Sequence, residues 1–456
     1  MNYQEALAYL FSLTDYERVA LNTYSTAALN LDRVRDLLSA LGDPQEQFKS
    51  IHVAGTKGKG STAAMLYSCL RQLDQHVGLY TSPHLSTFRE RIQVDGALIS
   101  REELVHLVER IKPALDARPG VTTFEAVTAL AFVYFVEHLV DWAVIEVGLG
   151  GRLDATNVIT PVASVITSLS YDHMQWLGQT LPEIAAEKAG IIKYGVPVVS
   201  QAQPLEATTV LEHIAHERNA PLIMLGRHWR WTPGQTTLAK QTFQVKQVAR
   251  VRSKENPFVN ELEGWYEIPL LGKHQLDNAT QVIATMDVLR ARDSTLDVSA
   301  RAIRDGLRVT VWPGRFEVMR ADPPIVADGA HNVDSASKLA ATLAEVFPGR
   351  RWVAVFGCYK DKDAAGMFRA LSGRVTHWVL TQVDNPRATP VERLMEIAAE
   401  QNLRVIALPK VGDALDAAIN ASEPVCITGS VALVGTARAA WARRSKAFQV
   451  ETDDES

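Results

Sequence analysis

Apolar runs of strand length alternate with segments of helical periodicity along most of the chain. Examples of the runs are "SIHVAG" (50–55) and "WAVIEVGLG" (142–150), while "TTFEAVTALAFVYFVEHLV" (122–140) has the length of a buried helix with a threonine cap. Apolar strands separated by helices indicate a parallel sheet that is covered on both faces. The pattern therefore predicts an α/β fold.

The alternation is interrupted once, before a second series begins. Segments such as "FQVKQVARVRSKENPFV" (243–259) and "WYEIPLLG" (265–272) are typical of an inserted β meander. A new series of strands and helices starts after "TVWPGRFEV" (310–318). We therefore predict a larger domain at residues 1–309 and a smaller α/β domain at residues 310–456. The acidic tail "ETDDES" is expected to fray.

Composition excludes several classes of function. The 456 residues are too many for one ordinary core, and a net charge of −5 argues against an electrostatic nucleic-acid binder. Three distant cysteines without a CxxC pair argue against a zinc cluster and fit a reducing cytosol. The N-terminus lacks a basic segment, and charged residues interrupt the longest apolar stretch. Neither a signal peptide nor a membrane span is expected.

"HVAGTKGKGST" (52–62) joins a strand end, a glycine-rich turn and a helix start. Backbone N–H groups converge at such a turn, and the helix dipole favours an anion there. The stretch departs from the common phosphate-loop pattern because Gly60 separates Lys59 from Ser61. A plain flexible turn is the alternative interpretation. The predicted nucleotide-binding residues are Gly55, Thr56, Lys57, Gly58, Lys59, Gly60, Ser61 and Thr62.

"GTKGKGST" resembles the loop of the folylpolyglutamate synthase and dihydrofolate synthase family, although Lys57 stands where many bacterial members have Asn. Nine further segments follow in the family's order and cover nearly the whole chain: "YTSPHLSTFRERI" (80–92), "TFEAVTALAF" (123–132), "EVGLGGRLDATN" (146–157), "YDHMQWLGQT" (171–180), "EKAGIIK" (187–193), "HQLDNA" (274–279), "WPGRFE" (312–317), "DGAHN" (328–332) and "TGS" (428–430). The resemblance implies a P-loop domain with a parallel or mixed sheet, a smaller Rossmann-like domain and a reaction cleft between them.

The resemblance also implies a reaction, the ATP-dependent ligation of L-glutamate to a folate through an acyl phosphate. A carboxylate is a poor electrophile, so ATP phosphorylates it before the amine attacks. Two activities stay open: folylpolyglutamate synthesis alone, or the same activity together with dihydrofolate synthesis from dihydropteroate. The resemblance also suggests a cytoplasmic monomer. A Mur-type amino-acid ligase is one alternative, disfavoured by Gly60. A catalytically silent nucleotide-binding protein is another, disfavoured by the presence of Lys59, Glu146 and His173.

ATP and two Mg²⁺ ions are the predicted cofactors. Glu146 ends an apolar strand, where a parallel sheet presents functional groups, although it could simply close the strand. By resemblance, Ser82 and His173 join Glu146 on the metals, and Lys188 of "EKAG" carries a carbamate that holds the second ion. On spacing alone, Lys188 would only offset a helix dipole or pair with a glutamate.

The resemblance supplies the remaining site residues. Asn278 and Arg315 would contact ATP, with a hinge salt bridge as the alternative for Arg315. Asp328 and His331 would lie near the phosphates or ribose and the incoming glutamate. The expected catalytic residues are Lys188, His173, Arg315 and His331, the last as a base for the amine. Thr81, Ser82, Pro83 and His84 would line the pterin side, Ser430 would touch the glutamate carboxylate, and Lys57 would contact a phosphate or a nearby carboxylate.

Overall fold

A sheet of eight strands forms the centre of the larger unit. The computed structural model describes residues 1–14, 29–249, 261–446 and 448–453. In these residues the strand order is β4-β3-β2-β5-β1-β6-β7-β8, parallel except for the β2–β3 and β3–β4 pairs at one edge. The strands are β1 Lys49–Ala54, β2 Val77–Tyr80, β3 Ile92–Val94, β4 Ala97–Leu98, β5 Trp142–Glu146, β6 Ala163–Ile166, β7 Val198–Ser200 and β8 Leu222–Met224.

Helices cover both faces of this sheet. Several begin at polar caps, and the hydroxyl of Thr122 accepts from the N–H of Glu125, whose carboxylate bonds back to Thr122 N. This capping box starts α5 where the sequence predicts a buried helix. The helices are α1 Tyr3–Ser12, α2 Leu31–Ala40, α3 Lys59–Leu70, α4 Arg101–Asp116, α5 Thr123–Glu137, α6 Met174–Leu177, α7 Leu181–Ala189, α8 Leu205–Glu217, α9 Lys273–Arg292 and α10 Ala300–Arg308.

The predicted meander is a three-stranded antiparallel sheet. It contains β9 Trp229–Thr236, β10 Gln241–Gln247 and β11 Gly264–Ile268, with β10 in the centre. Residues 250–260 of the quoted segment lie outside the described residues. Phe243, Val245 and Tyr266 pack this sheet into the core that surrounds α3 and α9.

The smaller unit has its own six-stranded sheet, ordered β12-β13-β17-β14-β15-β16 in the described residues. All its pairs are parallel except β12–β13. Its elements are β12 Glu317–Ala321, β13 Pro324–Ala327, α11 Val333–Val346, β14 Trp352–Phe356, α12 Ala364–Leu371, β15 Val375–Leu380, α13 Val391–Glu400, β16 Val405–Ala407, α14 Val411–Asn420, β17 Val425–Thr428 and α15 Val431–Ser445. The predicted α/β fold is confirmed. The sheet changes between α10 and β12, and a domain boundary at residue 310 stays a prediction.

Two further features bear on the sequence-based expectations. No helix in the described ranges combines the length and apolar character that a membrane span requires.

The expected fraying of the acidic tail is wrong for residues 451–453, because Asp453 accepts hydrogen bonds from Tyr3 and Thr87 of the larger unit. Residues 454–456 lie outside the described part of the chain.

Candidate active site

The predicted phosphate loop connects β1 to α3 at the carboxyl end of the central strands. Gly55 and Gly58 have φ angles of +146° and +92°, which favour glycine. A Cβ at Gly55 would lie 1.9 Å from Thr167 Oγ1, and one at Gly58 would lie 2.5 Å from Asn278 Oδ1. Glycine is therefore required at both positions, because neighbouring side chains leave no room for a Cβ atom. The hydroxyl of Thr62 is buried and lacks a hydrogen-bond partner among the described residues, as expected of a group that binds a phosphate or a metal.

Gly60 lies in the first turn of α3, which begins at Lys59. A Cβ at Gly60 would approach the Trp312 ring to 2.9 Å. Trp312 belongs to the segment between α10 and β12, so the connection between the two units packs directly on the start of the loop helix. The glycine that marks the family resemblance thus allows this contact.

A hydrogen-bonded chain of amides holds the loop from α9. Gln201 Nε2 donates to Asn278 Oδ1 over 2.7 Å, and Asn278 Nδ2 donates to Gln275 Oε1 over 2.8 Å. Gln275 Nε2 in turn lies 3.4 Å from Ser61 Oγ. Asn278 therefore positions the loop in this structure, while its predicted contact with ATP stays untested. Gln201 and Gln275 were missed, although Gln275 lies within "HQLDNA".

Lys188 is buried beside the loop, at the end of α7. Its Nζ donates to the carbonyl of Gly55 over 3.0 Å, and Lys59 Nζ donates to the same oxygen over 3.2 Å. Burial, reinforced by the charge of Lys59, lowers the pKa of Lys188 to about 7. A substantial fraction of its amine is therefore neutral near physiological pH, which is the form that reacts with CO₂.

Two glycines explain how Lys188 reaches this position. A Cβ at Gly190 would lie 2.4 Å from Arg152 Cα, and one at Gly151 would lie 2.8 Å from the carbonyl oxygen of Glu187. The turn "GLGGR" and the helix end "EKAG" therefore make backbone contact, supported by the hydrogen bond from Arg152 N to Glu187 O at 2.8 Å. The two motifs form one structural unit.

Glu146 and His173 supply buried polar atoms near Lys188 and the phosphate loop. Glu146 ends β5, accepts from Ser82 N over 3.2 Å, and has its pKa raised to about 7 by burial. The pKa of His173 is lowered to about 3 by burial, and its Nδ1 has no partner among the described residues. A carboxylate and a neutral imidazole with such an Nδ1 atom fit a metal ion. No group of three or more His, Cys, Asp or Glu side chains that could hold a metal occurs in the described ranges, so further ligands would come from Ser82, Lys188 or substrate.

Asp172, the neighbour of His173, joins the two units. Lys57 Nζ donates to its carboxylate over 2.6 Å, and from the smaller unit Lys362 Nζ and Asn332 Nδ2 each donate over 3.1 Å. Burial opposes ionisation of Asp172, but the positive charges of Lys57 and Lys362 hold its pKa well below the usual range. Lys57 therefore makes the predicted contact with a nearby carboxylate. Lys362 and Asn332 were missed. Lys362 lies in the segment that follows β14, and the carboxyl ends of parallel strands commonly carry functional side chains, so its position was a signal available in the sequence.

The hydrogen bonds of His331 determine its tautomer. Nδ1 lies 2.8 Å from the carbonyl oxygen of Gly329, which can only accept, so Nδ1 carries the proton. Nε2 lies 2.7 Å from Lys57 Nζ and accepts from it. Burial and the charge of Lys57 lower the pKa of His331 to about 4. The ring is thus neutral, and the lone pair needed by a base is occupied by Lys57 in this arrangement.

Other predicted residues of the smaller unit have structural partners. The carboxylate of Asp328 accepts from the N–H groups of Phe316 and Ala330 at 2.8 and 2.9 Å, which holds the turn where Phe316 has a φ of +44°. Arg315 Nη1 donates to Gly314 O over 3.1 Å, and its charge lowers the pKa of Glu146 against the effect of burial. The hydroxyl of Ser430 accepts from Leu433 N and caps α15. Their predicted contacts with ligands stay untested.

The loop after β2, Thr81–Thr87, carries the predicted pterin-side residues Thr81, Ser82, Pro83 and His84. The 3₁₀ helix Phe88–Arg91 that follows holds this loop. Glu90 accepts from the N–H groups of Leu85, Ser86 and Thr87, and Arg91 Nε donates to His84 Nδ1 over 2.9 Å. The loop is therefore an ordered wall beside Glu146.

Comparisons with known proteins agree with this arrangement. The Mur ligase middle domain matches residues 53–286, and the Mur ligase, glutamate ligase domain matches residues 314–431. The dihydrofolate synthase/folylpolyglutamate synthase of Bacillus subtilis is 37% identical, covering 90% of this chain and 94% of that protein. The corresponding Mycobacterium tuberculosis protein is 34% identical, covering 91% and 90%.

Solved structures give the same result. The Mycobacterium tuberculosis folylpolyglutamate synthase complexed with ADP and AMPPCP superposes with a TM-score of 0.84 at 33% identity, covering 96% of this chain and 98% of that chain. A structure described as an FPGS-AMPPCP-folate complex superposes with a TM-score of 0.78 at 32% identity, covering 97% and 99%. On both coverage and identity, this chain belongs to the folylpolyglutamate synthase/dihydrofolate synthase family within the Mur ligases.

Proposed function

We propose that this protein uses ATP to join L-glutamate to the carboxylate of a folate, as a folylpolyglutamate synthase. The observation that carries the proposal is the convergence of Lys59 and Lys188 on the carbonyl of Gly55 in a phosphate loop. The names of the relatives, and the folate and nucleotide in structures similar to this one, support the substrates.

Different residues would bind the metal, bind the nucleotide phosphates and add positive charge during the reaction. Glu146, His173 and Ser82, with Lys188 as its carbamate, would hold Mg²⁺, which neutralises charge on the transferred phosphoryl group. Lys59, the loop N–H groups and the hydroxyls of Ser61 and Thr62 would hold the nucleotide phosphates. Arg315, whose charge reaches Glu146, would add positive charge from the smaller unit.

His331 is the proposed base for the attacking amine. Its Nε2 is the acceptor nitrogen, and it becomes available when Lys57 moves toward another anion. The proton of the glutamate ammonium group would then move to Nε2 before the amine attacks the acyl phosphate. Retained activity in H331Q would exclude this role.

Phosphate release with ATP and L-glutamate tests the proposal. Dihydropteroate, tetrahydrofolate and a one-carbon folate should be compared, with K59M as the inactive control. Release that depends on tetrahydrofolate is expected, and release with dihydropteroate would add dihydrofolate synthase activity. If no folate stimulates release but a UDP-muramoyl substrate does, the protein is a Mur-type ligase. Binding of ATP without any substrate-dependent release would instead indicate a silent nucleotide-binding protein.

Two finer points belong to the proposal. ¹³C-bicarbonate NMR should show a carbamate signal that is lost in K188M, and a bare amine in wild type would exclude the modification. Action as a monomer in the cytosol, without nucleic acid, is also proposed; light scattering during size-exclusion chromatography would test the oligomeric state.

A further inference from the structure

The last described residues, 448–453, return from the smaller unit to the larger one. Helix α15 ends the smaller unit at Ser445, yet the carboxylate of Asp453 bonds to the larger unit. Asp453 Oδ1 accepts from Tyr3 Oη and Thr87 Oγ1, each over 2.6 Å, and Oδ2 accepts from Phe88 N over 2.9 Å. The chain therefore crosses between the units a second time.

Neighbouring residues extend this attachment. Arg101 Nη2 of α4 donates to the carbonyl of Thr452 over 3.0 Å, and Arg89 pairs with the carboxylate of Glu451. The side chain of Glu451 is 56% exposed, so solvent screens its pair with Arg89. The contacts of Asp453, which include a backbone N–H and two hydroxyls, dominate the attachment.

Asp453 binds at the start of the 3₁₀ helix Phe88–Arg91. The first N–H groups of a helix have no partner inside it, and an acceptor from outside must satisfy them. Here the carboxylate from the C-terminal tail serves Phe88 N. A charged acceptor makes such a hydrogen bond stronger than a neutral one.

This short helix also fixes the loop Thr81–Thr87. Glu90 holds three consecutive N–H groups of the loop, and Arg91 holds His84. Leu85 also packs closely against the smaller unit. A Cβ at Gly435 of α15 would lie 1.8 Å from the carbonyl oxygen of Leu85. The loop is thus bound on one side by α15 and on the other by the residues that follow it.

We propose that residues 448–453 form a strap that sets the position of the loop Thr81–Thr87 against the smaller unit, with Asp453 as the positioning residue. The inference rests on the proposed function and on the predicted place of Thr81, Pro83 and His84 of this loop on the pterin side of the folate. Removal of the Asp453 carboxylate frees Phe88 N and the hydroxyl of Thr87, and the loop loses its fixed anchor. The folate site then loses preorganisation at residues 84–87, while Ser82 keeps its hydrogen bond to Glu146 and the phosphate loop keeps its own contacts.

The test compares D453A with E451Q, which removes the exposed strap charge, and with a chain truncated after Phe448. D453A and the truncated chain should raise KM for tetrahydrofolate about five- to tenfold and leave KM for ATP within about twofold. E451Q should stay within about twofold for both substrates. Hydrogen exchange should accelerate at residues 84–91 in D453A and be unchanged there in E451Q.

The outcomes separate the strap from the proposed function. If wild type shows no folate-dependent release, the proposed function fails; faster exchange in D453A alone would then still support the strap. If wild type is active but D453A keeps both its KM for tetrahydrofolate and its exchange pattern, the strap is overturned. A lower melting temperature in D453A with an unchanged KM would also overturn it, because the contact would then only stabilise the fold.

Discussion

The side-chain amino groups of Lys59 and Lys188 donate to one acceptor, the carbonyl oxygen of Gly55. Two cations on a single neutral oxygen repel each other, and burial removes the water that would screen them. The loop therefore favours a Lys188 that is neutral or converted to an anion. A carbamate would replace the repulsion by attraction to Lys59.

K188M should be inactive and yet more stable than wild type at neutral pH. The folded pKa of Lys188, about 7, lies below its ordinary value of 10.5, so the unfolded chain binds more protons between these values. Wild-type stability should rise with pH through that window. The advantage of K188M should be largest near pH 7 and shrink toward pH 10. Urea unfolding of both proteins in CO₂-free buffers measures this, and a difference independent of pH would contradict it.

G60A should disturb the loop through Trp312. The new methyl group would lie 2.9 Å from the indole ring, and overpacking of this kind costs about 1–3 kcal/mol. KM for ATP should rise and the free energy of unfolding should fall. G412A is a matched control, because Gly412 is also the second residue of a helix but has nothing within 4 Å. If both variants behave alike, the contact with Trp312 is unimportant.

The fold was largely predictable because it rests on local signals. Apolar strands alternating with helices indicated the parallel sheet, and the threonine cap at Thr122 marked a helix start correctly. Sequence order also identified Glu146 at a strand end.

Contacts between distant residues were not predictable in the same way. No periodicity places Trp312 on Gly60 or Lys362 on Asp172, since those pairs form only when the two units meet. The acidic tail illustrates the same limit: its composition suggests fraying, whereas the acceptors it offers fit the donors of Tyr3 and Thr87.

G190A should detach the turn "GLGGR" from the end of α7. Its Cβ would lie 2.4 Å from Arg152 Cα, and backbone atoms cannot move aside as a flexible side chain can. The displaced helix end carries Lys188, so kcat should fall at least about tenfold and the carbamate signal should weaken. G373A, whose Cβ meets nothing within 4 Å, should retain both. Normal turnover in G190A would show that the two motifs need not touch.

K57M should weaken the connection between the units more than it weakens nucleotide binding. Lys57 is held by Asp172 and His331, and Asp172 keeps Lys362 and Asn332 when Lys57 is lost. Because Asp172 keeps two of its partners, K57M should lower the free energy of unfolding by about 1–2 kcal/mol in urea unfolding. This is less than the cost of leaving a buried charge without any partner. K240M, which breaks a pair at the surface, should cost less than about 0.5 kcal/mol.

Kinetics then distinguish the contact of Lys57 with His331 from its predicted contact with a phosphate. If Lys57 holds His331, the effects of K57M and H331Q on kcat should not add in a double-mutant cycle, because either change disrupts the same hydrogen bond. KM for ATP should change much less in K57M than in K59M, whose ammonium group lies in the loop helix. Additive effects on kcat, with a KM for ATP raised as much as in K59M, would assign Lys57 to the phosphates instead.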